Sequence, residues 1–179
     1  FTLLLLLRYF YHSVNDVMTF AGNARLTQLA YTDALTKLPN RAYCEIALDN
    51  LFREDRSFAV VSMDVNDLKK INDRDGHAAG DELLKNFADS LRTSFRSTDI
   101  CGRMSGDEFI AILYDVTPLE YEEKVRQVLT ELPVSISFGA AHCDEVSARD
   151  AHAVYKLADE RMYLMKQQIH EQEAAYANT

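Results

Sequence analysis

The apolar positions of the chain fall into short blocks whose spacing changes along its length. From Val14 to Tyr31 the heptad-like positions Val14, Val17, Ala21, Ala24 and Gln28, interrupted by polar residues, predict a helix with a weak coiled-coil tendency. The pattern breaks over Asp33–Arg41, where Pro39 disfavours a helical conformation at Leu38. A following helix is expected to bury Tyr43, Ile46, Ala47 and Leu51. The apolar, β-branched run Phe58–Met63, ending at Asp64, reads as a buried central strand. After a polar stretch to Gly80, Leu83, Leu84, Phe87, Ala88, Leu91 and Phe95 form the inner stripe of an amphipathic helix.

Ile100–Met104 and Phe109–Tyr114 read as a hairpin turning at Ser105-Gly106. Thr117-Pro118-Leu119-Glu120 combines an N-cap, a proline at the first helical position and a capping-box Glu, opening a helix that ends before Pro133. Val134–Ala141 is then a strand, and Ser147 with Asp150 caps a last helix carrying Val154, Leu157, Met162 and Met165. The fold class is therefore α/β. The pattern divides the chain into an N-terminal helical linker (residues 1–31), a main domain (32–170) and a C-terminal tail (171–179).

With 179 residues, 47% of them apolar and 26% charged, the chain is large enough for one globular core plus an appendage. A net charge of −9 argues against nucleic acid as a partner. It leaves room for a small anionic ligand held by local cations or a metal. Cys44, Cys101 and Cys143 have no zinc-site or disulfide spacing, which fits a reducing, cytoplasmic setting. The opening run Leu3–Leu7, before Arg8-Tyr9-Phe10-Tyr11, is far shorter than the ~20 residues that span a bilayer, and it lacks signal-peptide features. It reads either as the end of an inner-membrane helix or as the end of an upstream soluble sensor domain.

Two carboxylate clusters stand at strand ends: Asp64-Val65-Asn66-Asp67 and Asp107-Glu108. If the strands are neighbours, Asp64 and Asp107 converge at one sheet edge, where hard oxygen ligands suit Mg²⁺ and phosphoryl or nucleotidyl transfer. Acidic residues at strand ends are also ordinary solvated turn formers. Spacing alone leaves both readings open.

Ser105-Gly106-Asp107-Glu108-Phe109 resembles the Gly-Gly-Asp/Glu-Glu-Phe signature of the GGDEF family of diguanylate cyclases. Asp33–Arg41 is similar to the family's Asp-x-Leu-Thr-Gly-Leu-Pro-Asn-Arg block. Asp64–Asp81 is similar to its Asp-x-Asp-x-Phe-Lys-x-x-Asn-Asp-x-x-Gly-His-x-x-Gly-Asp stretch. Val134–Gly139 and Ala158–Lys166 resemble two further segments, and all the blocks occur in family order. The resemblance implies a central, mainly antiparallel sheet surrounded by helices, like the palm of adenylyl cyclases and polymerases. It implies Mg²⁺-dependent condensation of two GTP into cyclic di-GMP across a homodimer, with Mn²⁺ as a substitute ion.

Carried over by position, Asp64, the Val65 carbonyl, Asp107 and Glu108 hold metal. Asp107 acts as base toward the attacking 3′-hydroxyl, and Lys69 stabilises phosphate charge. Leu68, Asn72, Asp81 and Lys166 bind substrate, with Asn72 and Asp81 on the guanine edge. His77 either contacts GTP or braces its loop. Arg96 and Asp99 match the family's Arg-x-x-Asp inhibitory product site, although such a pair is also common as a surface ion pair.

Four departures stand out: Ser105 for the first signature glycine, Asn66 for an Asp, Lys37 for a Gly, and His170 where a second phosphate-binding Arg would be expected. Two readings compete with the enzyme. One is a receptor that binds cyclic di-GMP or GTP without turnover, and the other is a dimerisation module.

Overall fold

The structure, a computed structural model, describes residues 29–53, 56–118, 121, 123, 125, 126, 129, 134–147 and 150–177. The expected N-terminal helix with its coiled-coil spacing lies outside the described residues, apart from a helical stretch at 29–31. In chain order the elements are α1 (Arg41–Asn50), β1 (Phe58–Val65), α2 (Leu68–Asp75), α3 (His77–Ser94), β2 (Ile100–Ser105), β3 (Glu108–Tyr114), β4 (Ile136–His142) and α4 (Ala151–Ala177). The strands form one sheet in the order β2-β3-β1-β4, and every neighbouring pair is antiparallel. This is the α/β architecture expected, with the apolar run at 58–63 in a central strand. No helix among the described residues is long and apolar enough to cross a membrane.

β1 is buried along its whole length because it feeds two cores. Ala59, Val61, Met63 and Val65 face the α3 stripe of Leu84, Phe87, Ala88 and Leu91. Phe58 and Val60 face Cys44 and Leu48 of α1 and Val154 and Ala158 of α4. Alternation along one strand thus sends successive side chains to opposite layers. Each fully buried Leu, Val or Phe contributes about 1.5–3 kcal/mol. Phe87 meets Phe109 edge to face, 4.9 Å between centroids, which ties α3 to β3. Between β3 and β4 the described positions Tyr121, Val125 and Leu129 are helical and buried at four-residue spacing, in line with the helix expected after Thr117.

Several local features differ from the sequence reading. α1 buries Cys44 and Leu48, while Tyr43 and Ile46 are 40% and 45% exposed. The cause is close packing on β2: a Cβ at Gly102 would lie 2.1 Å from Cys44 Sγ, so position 102 has no room for a side chain while Cys44 is buried there. The polar stretch before Gly80 contains a helix of its own, α2, and a hinge to α3 at Gly76, whose φ of 87° suits glycine. The hairpin turns at Gly106-Asp107 rather than Ser105-Gly106, because β2 continues through Ser105 with a register shift between Arg103 and Ser105. α4 is capped by Asp150, whose Oδ1 accepts from the His152 N–H at 2.9 Å, and it runs unbroken through residue 170 to Ala177.

Of the departures at Lys37 and Ser105, Lys37 is the one in left-handed backbone, a conformation it shares with Asp67 and Asp115. Lys37 has φ 61°, whereas Ser105 is not among the described non-glycine residues at positive φ. A non-glycine side chain in the left-handed region costs about 1–2 kcal/mol, part of which glycine returns through its greater freedom when unfolded. Lys37→Gly is therefore expected to stabilise the domain by roughly 0.5–1 kcal/mol in chemical denaturation. A fall in the denaturation midpoint would contradict this.

Candidate functional site

The acidic end of the sheet is built by strand register. Asp64 sits opposite Glu108 of β3 and Ser137 of β4. The Val65 N–H donates to the Asp107 carbonyl at 3.0 Å, holding the hairpin turn against the exit of β1. Asp64 is buried, and its Oδ2 accepts from Lys166 Nζ of α4 at 2.7 Å. Its Oδ1 is buried without a protein partner. Burial is the largest influence on this carboxyl and raises its pKa. Lys166 pulls it down, neighbouring Asp107 and Glu108 push it up, and the net direction is upward. A cavity of about 500 Å³ opens beside it, lined by Asp64, Glu108, Asp159 and Glu160 on the acidic side and by Lys166 and His170 on the basic side. A buried, unpaired carboxylate oxygen among hard oxygen donors is the chemistry a divalent cation satisfies.

Polar side chains brace this edge. Arg103 donates from Nε and Nη2 to the Gly106 carbonyl at 3.1 and 2.7 Å, and from Nη1 to Asp33 Oδ1 at 3.1 Å. Asp33 in turn accepts from the backbone and hydroxyl of Thr36. The block around residue 33 therefore fastens the turn carrying Asp107, a role the sequence did not reveal. Ser105 Oγ donates to Glu108 Oε2 at 2.5 Å. Asn66 is committed to structure: Nδ2 donates to Ser135 Oγ at 3.1 Å and Oδ1 accepts from Ser137 Oγ at 2.8 Å. It joins the exit of β1 to the start of β4.

The remaining candidates lie on α2 and α3. Lys69 is exposed, and Leu68 packs half-buried against the core. Asn72 Oδ1 is buried and unpartnered. His77 and Asp81 are exposed on the first turns of α3. Lys70 bridges Asp67 at 2.6 Å and Glu173 of α4 at 3.2 Å, tying α2 to α4 across the surface. No bond links Leu68, Lys69, Asn72, His77 or Asp81 to the acidic cluster among the described residues. The structure thus unites Asp64, Asp107, Glu108 and Lys166 directly and presents the others from the neighbouring helix pair. Asp159 and Glu160 on the cavity wall were not anticipated, because on α4 they read as ordinary helix-surface acids.

A second cavity, about 530 Å³, lies at the far end of β3 and includes Arg96, Asp99, Arg56, Arg92 and Tyr114 in its lining. Asp99 Oδ2 accepts from the Arg96 N–H at 3.0 Å and Oδ1 from the Tyr114 N–H at 3.3 Å, fixing the turn. Arg56 is held by Asp115 and lies 4.6 Å from the Tyr114 ring centroid.

His142, Cys143 and Asp144 also cluster, with possible ligand atoms within 4.8 Å of one another. Both imidazole nitrogens are already used. Nε2 lies 2.9 Å from the Val116 carbonyl, which can only accept, so Nε2 carries the proton; Nδ1 accepts from the Asp144 N–H at 3.2 Å. This histidine is a buried cap on the chain after β4, not a metal ligand.

The sequence profile of the family described as "Diguanylate cyclase, GGDEF domain" matches residues 30–172. The diguanylate cyclase DgcS of Shewanella oneidensis is 36% identical over 153 residues, covering 79% of this chain and 51% of that protein. The bifunctional diguanylate cyclase/cyclic di-GMP phosphodiesterase MucR of Pseudomonas aeruginosa is 35% identical over 162 residues, 82% of this chain and 24% of that one. The chain thus spans about half the length of DgcS and less of MucR. Among solved structures, a microbial GGDEF domain described in a novel interaction mode with cyclic di-GMP matches with a TM-score of 0.70 at 35% identity, over 80% of this chain and 94% of that one. The GGDEF domain of TpbB (YfiN) from P. aeruginosa matches with a TM-score of 0.70 at 32% identity, over 76% and 89%.

Proposed function

Because the chain belongs to the GGDEF domain family, we propose that it is a diguanylate cyclase that condenses two GTP into cyclic di-GMP and two pyrophosphates. The observation that carries this reading is Asp64: a buried carboxylate with one oxygen on Lys166 and the other unpaired, between Asp107 and Glu108. Asp64, Asp107 and Glu108, with the Val65 carbonyl beside them, would hold Mg²⁺ or Mn²⁺. Bound there, the ion would supply charge neutralisation on the phosphates and a lowered pKa for the attacking hydroxyl.

The chain's own groups do the rest. Asp107 takes the proton of the 3′-hydroxyl at a carboxylate oxygen. Lys69 and Lys166 neutralise phosphate oxygens as charge builds on them. Asn72 and Asp81 present acceptors to the N1–H and N2–H₂ donors of guanine, which adenine lacks, while Leu68 and His77 stand beside them. Each domain holds one GTP, and two domains face each other so that each 3′-hydroxyl attacks the partner nucleotide's α-phosphate. Arg96 and Asp99 line the second cavity as a product site. A planar guanidinium suits phosphate or a guanine edge there. The two cavities lie at opposite ends of β3, a strand that spans roughly 20 Å.

The test is to incubate the chain with GTP and Mg²⁺ at several protein concentrations, with Asp107→Ala as control. Cyclic di-GMP rising faster than linearly with protein, and absent from the control, is expected. No product at any concentration, with cyclic di-GMP still bound, would make the domain a receptor through Arg96 and Asp99.

A further inference from the structure

Glu108 has a neighbour on each flank, and the two act on it in opposite ways. Strand pairing sets Ser105 of β2, Glu108 of β3 and Asp64 of β1 in one row across the end of the sheet. Side chains directly opposed on neighbouring strands share a face, with about 4.5–5.5 Å between Cβ atoms, so the two carboxylates of the row repel each other. The other flank carries a donor: the Ser105 hydroxyl donates to Glu108 Oε2 at 2.5 Å, a charge-assisted bond. Because β2 and β1 lie on opposite sides of β3, this bond draws the carboxylate away from Asp64. Glu108 accordingly stands in two walls. One belongs to the cavity it shares with Asp64 and Lys166, the other to a smaller cavity of about 160 Å³ that it shares with Arg41 of α1 and Tyr155 of α4. Arg41 is engaged by Glu45 at 2.7 Å, so the bond that holds Glu108 on this side is the serine's.

We propose that Ser105 is a positioning residue that works against the cation. Its hydroxyl latches Glu108 on the β2 flank, and a divalent ion at Asp64 gains this ligand only by breaking or sharing that bond. This rests on the reading of Asp64, Asp107 and Glu108 as the cation site. Its added content is that a serine, standing where the family signature has glycine, lowers the affinity of that site without touching the ion.

The measurement is titration of the full, nucleotide-free chain with Mn²⁺, the free ion being read from its paramagnetic resonance signal. Asp64→Asn supplies the background of ions held by other surface acids. Ser105 is exposed and is not at positive φ, so small variants are admissible there. Ser105→Ala and Ser105→Gly should each bind Mn²⁺ about 3- to 10-fold more tightly than the parent, as for the release of one hydrogen bond. Ser105→Thr, which keeps the hydroxyl, should keep the parent's affinity. Glu108→Gln should bind more weakly and be indifferent to Ser105→Ala, because the serine acts only through that carboxylate. A merely structural role in the turn would move the melting temperature and leave these affinities alone. Unchanged or weaker binding in Ser105→Ala, tighter binding in Ser105→Thr, or a gain that survives in the double variant with Glu108→Gln would overturn this inference alone. A parent whose Mn²⁺ binding is the same as that of Asp64→Asn would overturn the cation reading and this inference with it.

Discussion

Asp64→Asn is expected to cut cyclic di-GMP formation by about 10³-fold or more while raising the melting temperature of the domain in metal-free buffer. The two effects have one cause. Asp64 is shut away from water, faces Asp107 and Glu108, and keeps one oxygen unpaired, and burial with those neighbours outweighs Lys166 in raising its pKa. A carboxyl whose folded pKa lies above its unfolded value costs stability at neutral pH, where both states are ionised. The cost fades as pH falls through the folded pKa toward the unfolded one. A neutral isostere escapes it, and a gain near 1 kcal/mol would appear as roughly 2–4 °C for a chain of this size. The gain should shrink on acidification. Mg²⁺ should raise the melting temperature of the parent by mass action and leave the variant unmoved. A variant that melts lower in EDTA, or one that still makes product, would contradict the assignment of Asp64 as a carboxylate strained for a cation.

That strain was legible only in part. The apolar run at 58–63 announces a central strand because β1 is buried on both faces, and the α3 stripe is visible because one face of that helix meets a sheet. α2 was not visible, since it has no buried residue and so carries no apolar periodicity to read. α1 offered two apolar faces, Tyr43 with Ile46 and Cys44 with Leu48. The choice between them depends on Gly102 of β2, far away in sequence.

The departures from the family pattern shift in the same way. Ser105 brings no strained φ and gives its hydroxyl to Glu108. Asn66, which stands where the family has an Asp, is a bridge between two serines. Lys37, which stands where the family has a Gly, is in left-handed backbone, as are Asp67 and Asp115. The acidic residues were legible as a cluster because strand ends reveal themselves. The Arg103–Asp33 brace was not, because it joins side chains 70 residues apart.

Glu145→Ala is expected to destabilise the domain by about 2–4 kcal/mol. This carboxylate follows β4 and collects groups from three directions. Oε1 accepts from the Tyr121 hydroxyl and the His142 N–H, each at 2.7 Å, and Oε2 accepts from Arg161 Nη2 of α4 at 2.6 Å. Tyr121 and His142 are each 1% exposed, so truncation would remove a carboxylate acceptor from a buried hydroxyl and from the charged Arg161 of α4.

Burial alone would raise the Glu145 pKa, but Arg161, the His142 N–H and the Tyr121 hydroxyl overcome it and hold the carboxyl at about 2, against an ordinary 4.5. With the folded value depressed, the stabilisation is complete above about pH 4.5 and is lost as pH falls toward 2. Because the side chain is partly exposed, about 1–2 kcal/mol of this should be measurable. The parent should therefore lose stability between pH 4.5 and 2 more steeply than Glu145→Ala, whose curve starts lower and runs flatter. Equal slopes would show that the carboxylate is solvated and idle. α4 also carries Lys166 into the acidic cleft and packs on β4 so closely that a Cβ on Gly139 would lie 2.2 Å from the Ala158 carbonyl. Loosening its anchor at Glu145 should thus lower cyclase activity at temperatures where the domain is still folded, although Glu145 touches no substrate.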